Sequence, residues 1–423
     1  MGYSIHLNNV IMNIVILTII LPFPLDSGGA QAQYNMIDAL RHKHNITVVF
    51  PENGVNRMDA MHELQKRWPQ VGFRPYRFVY QMMNPAFLFS KTKRAFKKLF
   101  CRNSDRFMVE WMLTPYGYPC DNRFAHFMEK VLREKAADIL QVEFYPYLHF
   151  VHKLPADVLK VFIHHELRYI RNRRLLANVQ MLPCEIEYME LMQRQEIDDL
   201  NCYDMVVTLT DVDSNELQSA GVQTPIMVSP ASVNAAMMEY RGWNGKITFL
   251  GGYGHTPNKE GVEWFLRNVA SLIDWRECGA SSVDIIGGGW PVEIETIAQN
   301  IKVNRLGFVE NLADAAQGSI MIVPILSGSG MRMKILEAAA MGLPLVTTTV
   351  GVEGLAFRHE QSCLKADTPE DFAAELSRLM KSEQLRVRLT SAARDMFEAA
   401  YSVKATSERR NSVYEKLKNC AEA

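Results

Sequence analysis

Apolar residues fall into short runs along this chain, and most runs are followed by a polar or glycine-containing turn and then by a segment with helical spacing. The runs are rich in valine, isoleucine and leucine, which is typical of strands buried on both faces of a parallel sheet. Strands are predicted at residues 14–20, 46–50, 138–144, 158–163, 205–209, 226–229, 247–252, 282–289, 303–309, 319–325 and 345–350. The alternation of strands with helices predicts an α/β protein.

One stretch, residues 230–246, interrupts this pattern because neither a strand period nor a helix period persists there. Such a stretch is typical of a linker between domains. We therefore predict an N-terminal α/β domain over residues 12–230 and a second α/β domain over residues 246–385. Residues 386–423 are predicted to form C-terminal helices.

The composition mainly excludes classes of protein and kinds of partner. Of 423 residues, 48% are hydrophobic and 22% are charged, which suits a folded globular protein. The formal net charge of -1 gives no global field for nucleic acid, so no nucleic-acid partner is expected. Seven scattered cysteines without a CxxC pair favour reduced thiols in a cytoplasmic protein over disulfides or a zinc site. The apolar run at 10–21 follows no basic residue and is short for a membrane span, which favours a buried first strand.

Candidate chemistry concentrates in the unit formed by residues 319–355. A predicted strand at 319–325 leads into a Gly/Ser loop at 327–330 and a predicted helix at 331–341. Glycines 328 and 330 would let a ligand approach the backbone, and a helix N-terminus favours anions, most often phosphate.

One face of that predicted helix carries polar groups. At helical spacing Gly330, Lys334 and Glu337 lie on one side, with Glu337 roughly 10 Å from Gly330 along the axis. A diphosphate at the helix tip would place a ribose within reach of the Glu337 carboxylate. The alternative is an ordinary strand–helix turn with a solvated Lys–Glu pair.

Two features of the first half are further candidates. Gly28 and Gly29 follow the first predicted strand at its carboxyl end, where open α/β sheets bind ligands, although glycines required by the turn alone explain them equally well. His164, His165 and Glu166 follow the strand at 158–163. A histidine there can hydrogen-bond a ligand, and a structural histidine is the alternative. A metal site is disfavoured because adjacent strand residues point to opposite faces.

Residues 87–103 are basic and aromatic. This composition suits an interfacial helix on anionic lipid and so keeps open a peripheral contact with the inner membrane. We favour the alternative, a surface helix whose apolar stripe packs on its own core. Nowhere is there a GxGxxG fingerprint, since Pro257 stands where its third glycine would be, and no Walker A loop occurs. A dehydrogenase and an NTPase are therefore poorly supported.

Four segments resemble one known family, the GT-B retaining glycosyltransferases of family 4 (glycosyl transferases group 1). They are SGSGMRMKILEAAAMGLPLVTTTVGVEGL at 327–355, the amino-terminal stretch at 12–49, ITFLGGYGHTPNKEGVEWFL at 247–266, and VDIIGGG with VNRLGFVENL between 283 and 312. The resemblance covers most of residues 12–400 and is weakest over 51–135. It implies a GT-B fold, with two Rossmann-like α/β/α domains facing across a cleft and a last helix that crosses back to the first domain.

The resemblance also implies roles for individual residues. Glu337 would bind the ribose of a nucleotide sugar, and the pair His165 and Glu166 would form the catalytic His–acid pair on the first domain, with His164 as the alternative histidine. The residues implied in binding the donor diphosphate are Gly28, Gly29, Gly328, Ser329, Gly330, Met331, Arg332 and Lys334. Two positions depart from the family pattern: Ser329 stands where the first of two glutamates is usual, and Lys259 is the one lysine left of a basic pair.

The resemblance implies a retaining glycosyltransferase that moves a sugar from a nucleotide diphosphate sugar to a hydroxyl of a glycan or lipid-linked glycan, in cell-surface polysaccharide synthesis. No clustered acidic metal ligands of the DxD type are apparent, so no metal or other cofactor is expected. The alternatives are a nucleotide-sugar epimerase or hydrolase on the same fold, and a non-catalytic protein that binds nucleotide sugars.

Overall fold

Parallel strands form two separate sheets in the computed structural model of the protein. The chain divides into two units, Met1–Pro230 with Ser407–Ala423, and Ala231–Thr406. The structure describes residues 10–25, 27–52, 57–78, 105–113, 121–233, 235 and 237–422. The predicted basic helix at 87–103 lies outside these residues.

The first unit contains a seven-stranded parallel sheet in the order β3-β2-β1-β4-β5-β6-β7. The strands are β1 Asn13–Leu17, β2 Asn45–Pro51, β3 Gly72–Tyr76, β4 Ile139–Glu143, β5 Leu159–His164, β6 Met205–Thr208 and β7 Ile226–Val228. The helices are α1 Gly28–Leu40, α2 Arg57–Arg67, α3 Asp105–Met112, α4 Asn122–Glu134, α5 Arg168–Leu176, α6 Pro183–Leu200 and α7 Asp211–Ser219, with a 3-10 helix at Tyr145–Lys153.

Both faces of this sheet are buried, as the continuous apolar runs predict. On one face Ile139 and Ile163 pack with residues of α1 and of the C-terminal helix. On the other face Leu140 and Phe162 pack with α4 and the 3-10 helix. Odd and even positions of β4 and β5 therefore face different helices, because successive strand residues point to opposite sides.

The second unit contains a six-stranded parallel sheet in the order β10-β9-β8-β11-β12-β13. The strands are β8 Lys246–Leu250, β9 Ser282–Ile286, β10 Lys302–Gly307, β11 Ile320–Val323, β12 Leu345–Thr347 and β13 Leu364–Lys365. The α-helices are α8 Thr256–Trp264, α9 Trp275–Cys278, α10 Leu312–Ala316, α11 Met333–Ala340, α12 Pro369–Lys381 and α13 Glu383–Ala400; a π-helical turn covers Phe265–Val269, and 3-10 turns cover Ala270–Leu272 and Val292–Thr296. β8 and β11 are neighbours in the sheet although not in sequence, so the strand order reverses between them. That edge is where open α/β sheets bind ligands.

The predicted fold class, two α/β domains with parallel sheets, is confirmed. The segment predicted as a linker belongs to the second unit, where the Tyr240 hydroxyl accepts a hydrogen bond from Arg386 at 2.7 Å. The last helix, α14 Val403–Glu422, has residues 407–422 in the first unit, whereas residues 386–406 belong to the second. Within the described part of the chain, no helix is both long and apolar enough to cross a membrane.

Candidate functional site

The loop after β11 has a backbone shape that its glycines make possible. Gly328 and Gly330 adopt left-handed φ angles of 103° and 77°, which other residues rarely tolerate. The loop is also tied to α8, because the Ser327 hydroxyl donates to the Glu260 carboxylate at 2.7 Å. A glycine-rich loop thus lies at the carboxyl edge of the sheet, beside the point where the strand order reverses.

The side chain of Arg332 stabilises this loop through hydrogen bonds to its backbone. Its Nη1 donates to the carbonyl oxygens of Ser329 at 2.5 Å and Gly330 at 2.6 Å. The helix α11 begins at Met333, two residues later than predicted, so Ser329 and Met331 are loop residues. The guanidinium satisfies loop carbonyls, and its clearest role is therefore to hold the loop in shape.

Lys334 lies in the first turn of α11 and is the half-buried cation of this site. Its Nζ donates to Asn258 Oδ1 at 2.6 Å and sits 4.8 Å from the centre of the Phe249 ring. Asn258 in turn donates to the Gly252 carbonyl at 2.9 Å, which links Lys334 to the loop after β8. Burial, with a contribution from neighbouring Arg332, lowers the pKa of Lys334 to about 7, so its charge is sensitive to any anion that binds nearby.

Glu337 follows Lys334 by three positions on α11, so the two side chains share one side of the helix. It is 7% exposed, and its negative charge raises the pKa of Lys334. A buried carboxylate on the ligand-binding edge can accept hydrogen bonds from paired hydroxyl groups. The solvated Lys–Glu pair considered from the sequence is therefore excluded.

The first unit places a histidine at the carboxyl end of β5. His165 Nε2 bonds to the carboxylate of Glu143, which ends the neighbouring strand β4. Its ring stacks on Phe144 with centroids 4.1 Å apart and an interplanar angle of 11°. Phe144 has a left-handed φ of 68°, an unfavourable conformation for a large side chain of the kind often found at functional sites. Side-chain exposure is 13% for His165 and 1% for Glu143.

The structure separates the other two residues of the predicted histidine cluster from this arrangement. His164 points to the opposite face, where its Nε2 lies 2.9 Å from Glu196 and both side chains are buried. Glu166 pairs with Arg171 at 3.3 Å. The predicted acid partner of His165 was therefore misplaced: Glu143, adjacent in the sheet, takes the position that was assigned to Glu166.

Gly28 and Gly29 begin α1, whose N-cap is Ser27. A Cβ at Gly29 would lie 3.2 Å from the Phe144 ring, tighter than most such contacts. Gly29 is therefore explained by the close approach of α1 to the Phe144 ring, on which His165 stacks. This contact favours the packing interpretation of Gly29 over a ligand contact.

Sequence reasoning missed Glu143 and Asn258 as site residues. Glu143 could have been found, because it ends a predicted strand and carboxyl ends of neighbouring parallel strands meet at one edge. Asn258 carries no such signal, since its role depends on the side chain of Lys334 reaching it from α11. Among the residues that the structure describes, metal-ligand spacing occurs at His359, Glu360 and Glu375, where Arg378 and Arg388 already pair with Glu360.

Comparisons with known proteins bear on both units. The family model for "Glycosyl transferases group 1" matches residues 244–382, most of the second unit. The putative glycosyltransferase YtcC of Bacillus subtilis (strain 168) is 33% identical over 84 residues. That match covers 19% of this chain and 21% of the relative, so this chain spans about a fifth of the relative's length.

Solved structures match nearly the whole chain. Sucrose-phosphate synthase from Thermosynechococcus elongatus has a TM-score of 0.69 at 13% identity, covering 96% of this chain and 99% of its own. A mutant of S. aureus TarM, in complex with Fondaparinux, alpha-GlcNAc-glycerol and UDP, has a TM-score of 0.65 at 12% identity, covering 96% and 100%. Anabaena Alr3699/HepE in complex with UDP has the same score, identity and coverage. These likenesses, with the two parallel sheets, assign the chain to the GT-B fold class.

Proposed function

We propose that this protein is a retaining glycosyltransferase. It transfers a sugar from a nucleoside diphosphate sugar to a hydroxyl of a glycan or lipid-linked glycan, in the synthesis of a cell-surface polysaccharide. The observation that carries the proposal is the edge of the second unit. This edge carries a glycine loop with left-handed φ angles, next to the half-buried Lys334 and the buried Glu337. All three lie within the segment matched by the glycosyltransferase family model.

In this proposal the second unit binds the donor. Backbone N–H groups of the loop at 328–331 and the ammonium of Lys334 bind the diphosphate, while Glu337 accepts hydrogen bonds from the ribose hydroxyls. Arg332 contributes by keeping the loop carbonyls turned away from the anion. Gly29 has a packing role, and we assign it no donor contact. A diphosphate contact of Gly28 stays a prediction.

The chemistry follows from stabilisation of the leaving group. The bond between the sugar C1 and the diphosphate oxygen breaks, and its electron pair leaves with the diphosphate. The acceptor oxygen bonds to C1 on the same face, and its proton passes to the departing phosphate oxygen. Preorganised N–H donors and a cation lower the energy of the developing charge. Ser329 offers no carboxylate as a nucleophile, and His165 is assigned to hydrogen-bond a hydroxyl of a substrate sugar.

Two similar structures support the choice of substrates. The TarM structure contains Fondaparinux, alpha-GlcNAc-glycerol and UDP, and an Anabaena HepE structure contains UDP and glucose. We further propose a cytoplasmic location, with peripheral membrane contact through residues 87–103 as the less favoured alternative to a surface helix packed on its own core. Co-sedimentation with anionic liposomes that Lys97→Glu plus Lys98→Glu leaves unchanged would remove that contact from the proposal.

A donor panel tests the function directly. Release of nucleoside diphosphate should occur with one class of nucleotide sugar and should depend on an added hydroxyl acceptor. Acceptor-independent release of free sugar would indicate a hydrolase. Binding of nucleotide without any turnover would indicate a non-catalytic binding protein.

A further inference from the structure

A row of buried polar side chains connects the C-terminal helix with His165. The Tyr414 hydroxyl, on α14, donates to Gln141 Oε1 at 2.5 Å. Gln141 Nε2 donates to Glu143 Oε1 at 2.5 Å, and Glu143 Oε2 bonds to His165 Nε2. Tyr414, Gln141 and Glu143 are each no more than 1% exposed. Gln141 and Glu143 are two residues apart on β4, so they share the sheet face that α14 covers.

The direction of every bond in this row follows from the carboxylate. An ionised Glu143 can only accept hydrogen bonds, so the group of Gln141 that faces it must be the NH₂ group. The Gln141 carbonyl must then face Tyr414, whose hydroxyl has to donate. By the same argument His165 must donate from Nε2.

Tyr414 is therefore the group that orients the Gln141 amide. If the Gln141 amide were rotated by half a turn, its carbonyl oxygen would face the carboxylate of Glu143. Two hydrogen-bond acceptors would then face each other without a proton between them. Burial raises the pKa of Tyr414 to about 12, more than the neighbouring Arg410 guanidinium lowers it, so the hydroxyl keeps its proton at neutral pH. Arg410 itself donates to Ser229 Oγ at 3.1 Å.

At the other end of the row, the ring of His165 is fixed in two ways. Nε2 is held by Glu143, and the ring plane is held by stacking on Phe144. Within the described residues, Nδ1 of His165 makes no hydrogen bond. A neutral imidazole that carries its proton on Nε2 has Nδ1 as its acceptor.

We propose that Tyr414 is a positioning residue for His165. Through Gln141 and Glu143 it fixes the Nε2–H tautomer and leaves Nδ1 to accept a hydrogen bond from a hydroxyl of a substrate sugar. The substrate contact rests on the glycosyltransferase function proposed above. The tautomer does not depend on that function.

The tautomer can be measured in the unaltered protein. With ¹⁵N-labelled histidine in the full chain, long-range ¹H–¹⁵N spectra at mildly alkaline pH distinguish a protonated ring nitrogen from an unprotonated one. The signal of His165 is assigned by its loss in His165→Gln. The expected result is a proton on Nε2, and a His165 ring protonated on Nδ1 would overturn the proposal.

The role of Tyr414 is tested by Tyr414→Phe, which removes one hydroxyl. We expect mixed tautomers at His165, and a roughly ten- to hundredfold lower kcat with the donor KM changed by less than about twofold, because the imidazole is misaligned while donor binding is kept. The matched control is Tyr203→Phe. Tyr203 is another buried tyrosine of the first unit, and its hydroxyl donates to the Leu148 carbonyl at 2.8 Å, away from His165. The control should keep both the His165 spectrum and kcat.

A second variant tests the same role independently, in case Tyr414→Phe does not fold. Gln141→Leu removes the donor to Glu143 and should give the same mixture of tautomers. If Tyr414→Phe and Gln141→Leu both keep the wild-type His165 spectrum, the positioning role is wrong even where sugar transfer is observed. If the spectrum changes as expected but the wild-type protein transfers no sugar, the positioning of His165 stands and the glycosyltransferase proposal fails.

Discussion

The neighbours of His164 and His165 determine which of the two histidines can contact a ligand. His164 and His165 are neighbours in sequence, yet one pairs with Glu196 in the interior and the other with Glu143 at the sheet edge. The pleat continues from the end of β5 to His165 and directs the two side chains to opposite faces. One step along the chain therefore separates a structural residue from a candidate site residue. The sequence could restrict the choice to two positions, but the helices that cover each face determine which one is accessible.

Glu337 is expected to carry much of the affinity for a nucleoside diphosphate. Glu337→Gln keeps the size of the side chain but removes the charge that strengthens hydrogen bonds to ribose hydroxyls. We expect a loss of about 2 kcal/mol, roughly thirtyfold in Kd for UDP, measured by calorimetry. Glu398→Gln, an exposed residue paired with Arg394, serves as the control and should bind UDP normally. Equal affinities for Glu337→Gln and wild type would remove Glu337 from the site.

Lys334 should couple donor binding to proton uptake. Its pKa of about 7 in the free protein leaves it largely neutral at mildly alkaline pH, and a bound diphosphate would raise that pKa. Binding therefore takes up a proton, and affinity falls as the pH rises above about 7. Calorimetry in buffers of different ionisation enthalpy measures the uptake, which Lys334→Met should abolish. Proton uptake that is the same in wild type and Lys334→Met would contradict this assignment.

At the scale of elements, α8 packs so closely on the end of β11 that a side chain at Gly261 would collide with the Pro324 carbonyl. Because Pro324 immediately follows β11, this contact sets where the glycine loop starts. Gly261→Ala should therefore cost about 1–3 kcal/mol of unfolding free energy, measured with urea. It should also weaken UDP binding by displacing the loop.

Gly254→Ala is the matched control for that variant. A Cβ at Gly254 meets nothing within 4 Å. Its stability should stay within about 0.5 kcal/mol of wild type, as for most surface substitutions. If the two variants unfold alike, the contact between α8 and β11 is less tight than the backbone positions indicate.

The elements themselves were largely predictable from the sequence, and their partners were not. Continuous apolar runs gave most strands of both sheets because parallel strands are buried on both faces. The edge strands β3 and β13 were not predicted, because Gly72–Tyr76 and Leu364–Lys365 contain no such run. The start of α11 was misplaced by two residues because the Arg332 side chain satisfies the carbonyls of Ser329 and Gly330, which keeps that segment a loop. No local pattern signals such a bond. The same holds for Tyr414, whose contact with Gln141 joins residues far apart in the chain.

At the scale of the whole molecule, residues 407–422 of the last helix belong with the first unit although they follow the second in sequence. Leu417 on α14 is 2% exposed in a core of the first unit, and Leu389 on α13 is 1% exposed in the core of the second. Each leucine-to-alanine change should cost about 2–5 kcal/mol. Hydrogen exchange should rise in β1 and β4 for Leu417→Ala, and in β8 and β11 for Leu389→Ala. Equal changes in both units for either variant would contradict this division of the chain.

We propose that the chain transfers a sugar with retention of configuration. The test follows the anomeric proton by ¹H NMR during the reaction of the full chain. The donor is the nucleotide sugar that raises the melting temperature of the protein most, and a hydroxyl acceptor is present. We expect a first-formed glycoside with the same anomeric configuration as the donor, together with release of the nucleoside diphosphate. An inverted glycoside, or no glycoside from any nucleotide sugar that binds, would contradict it.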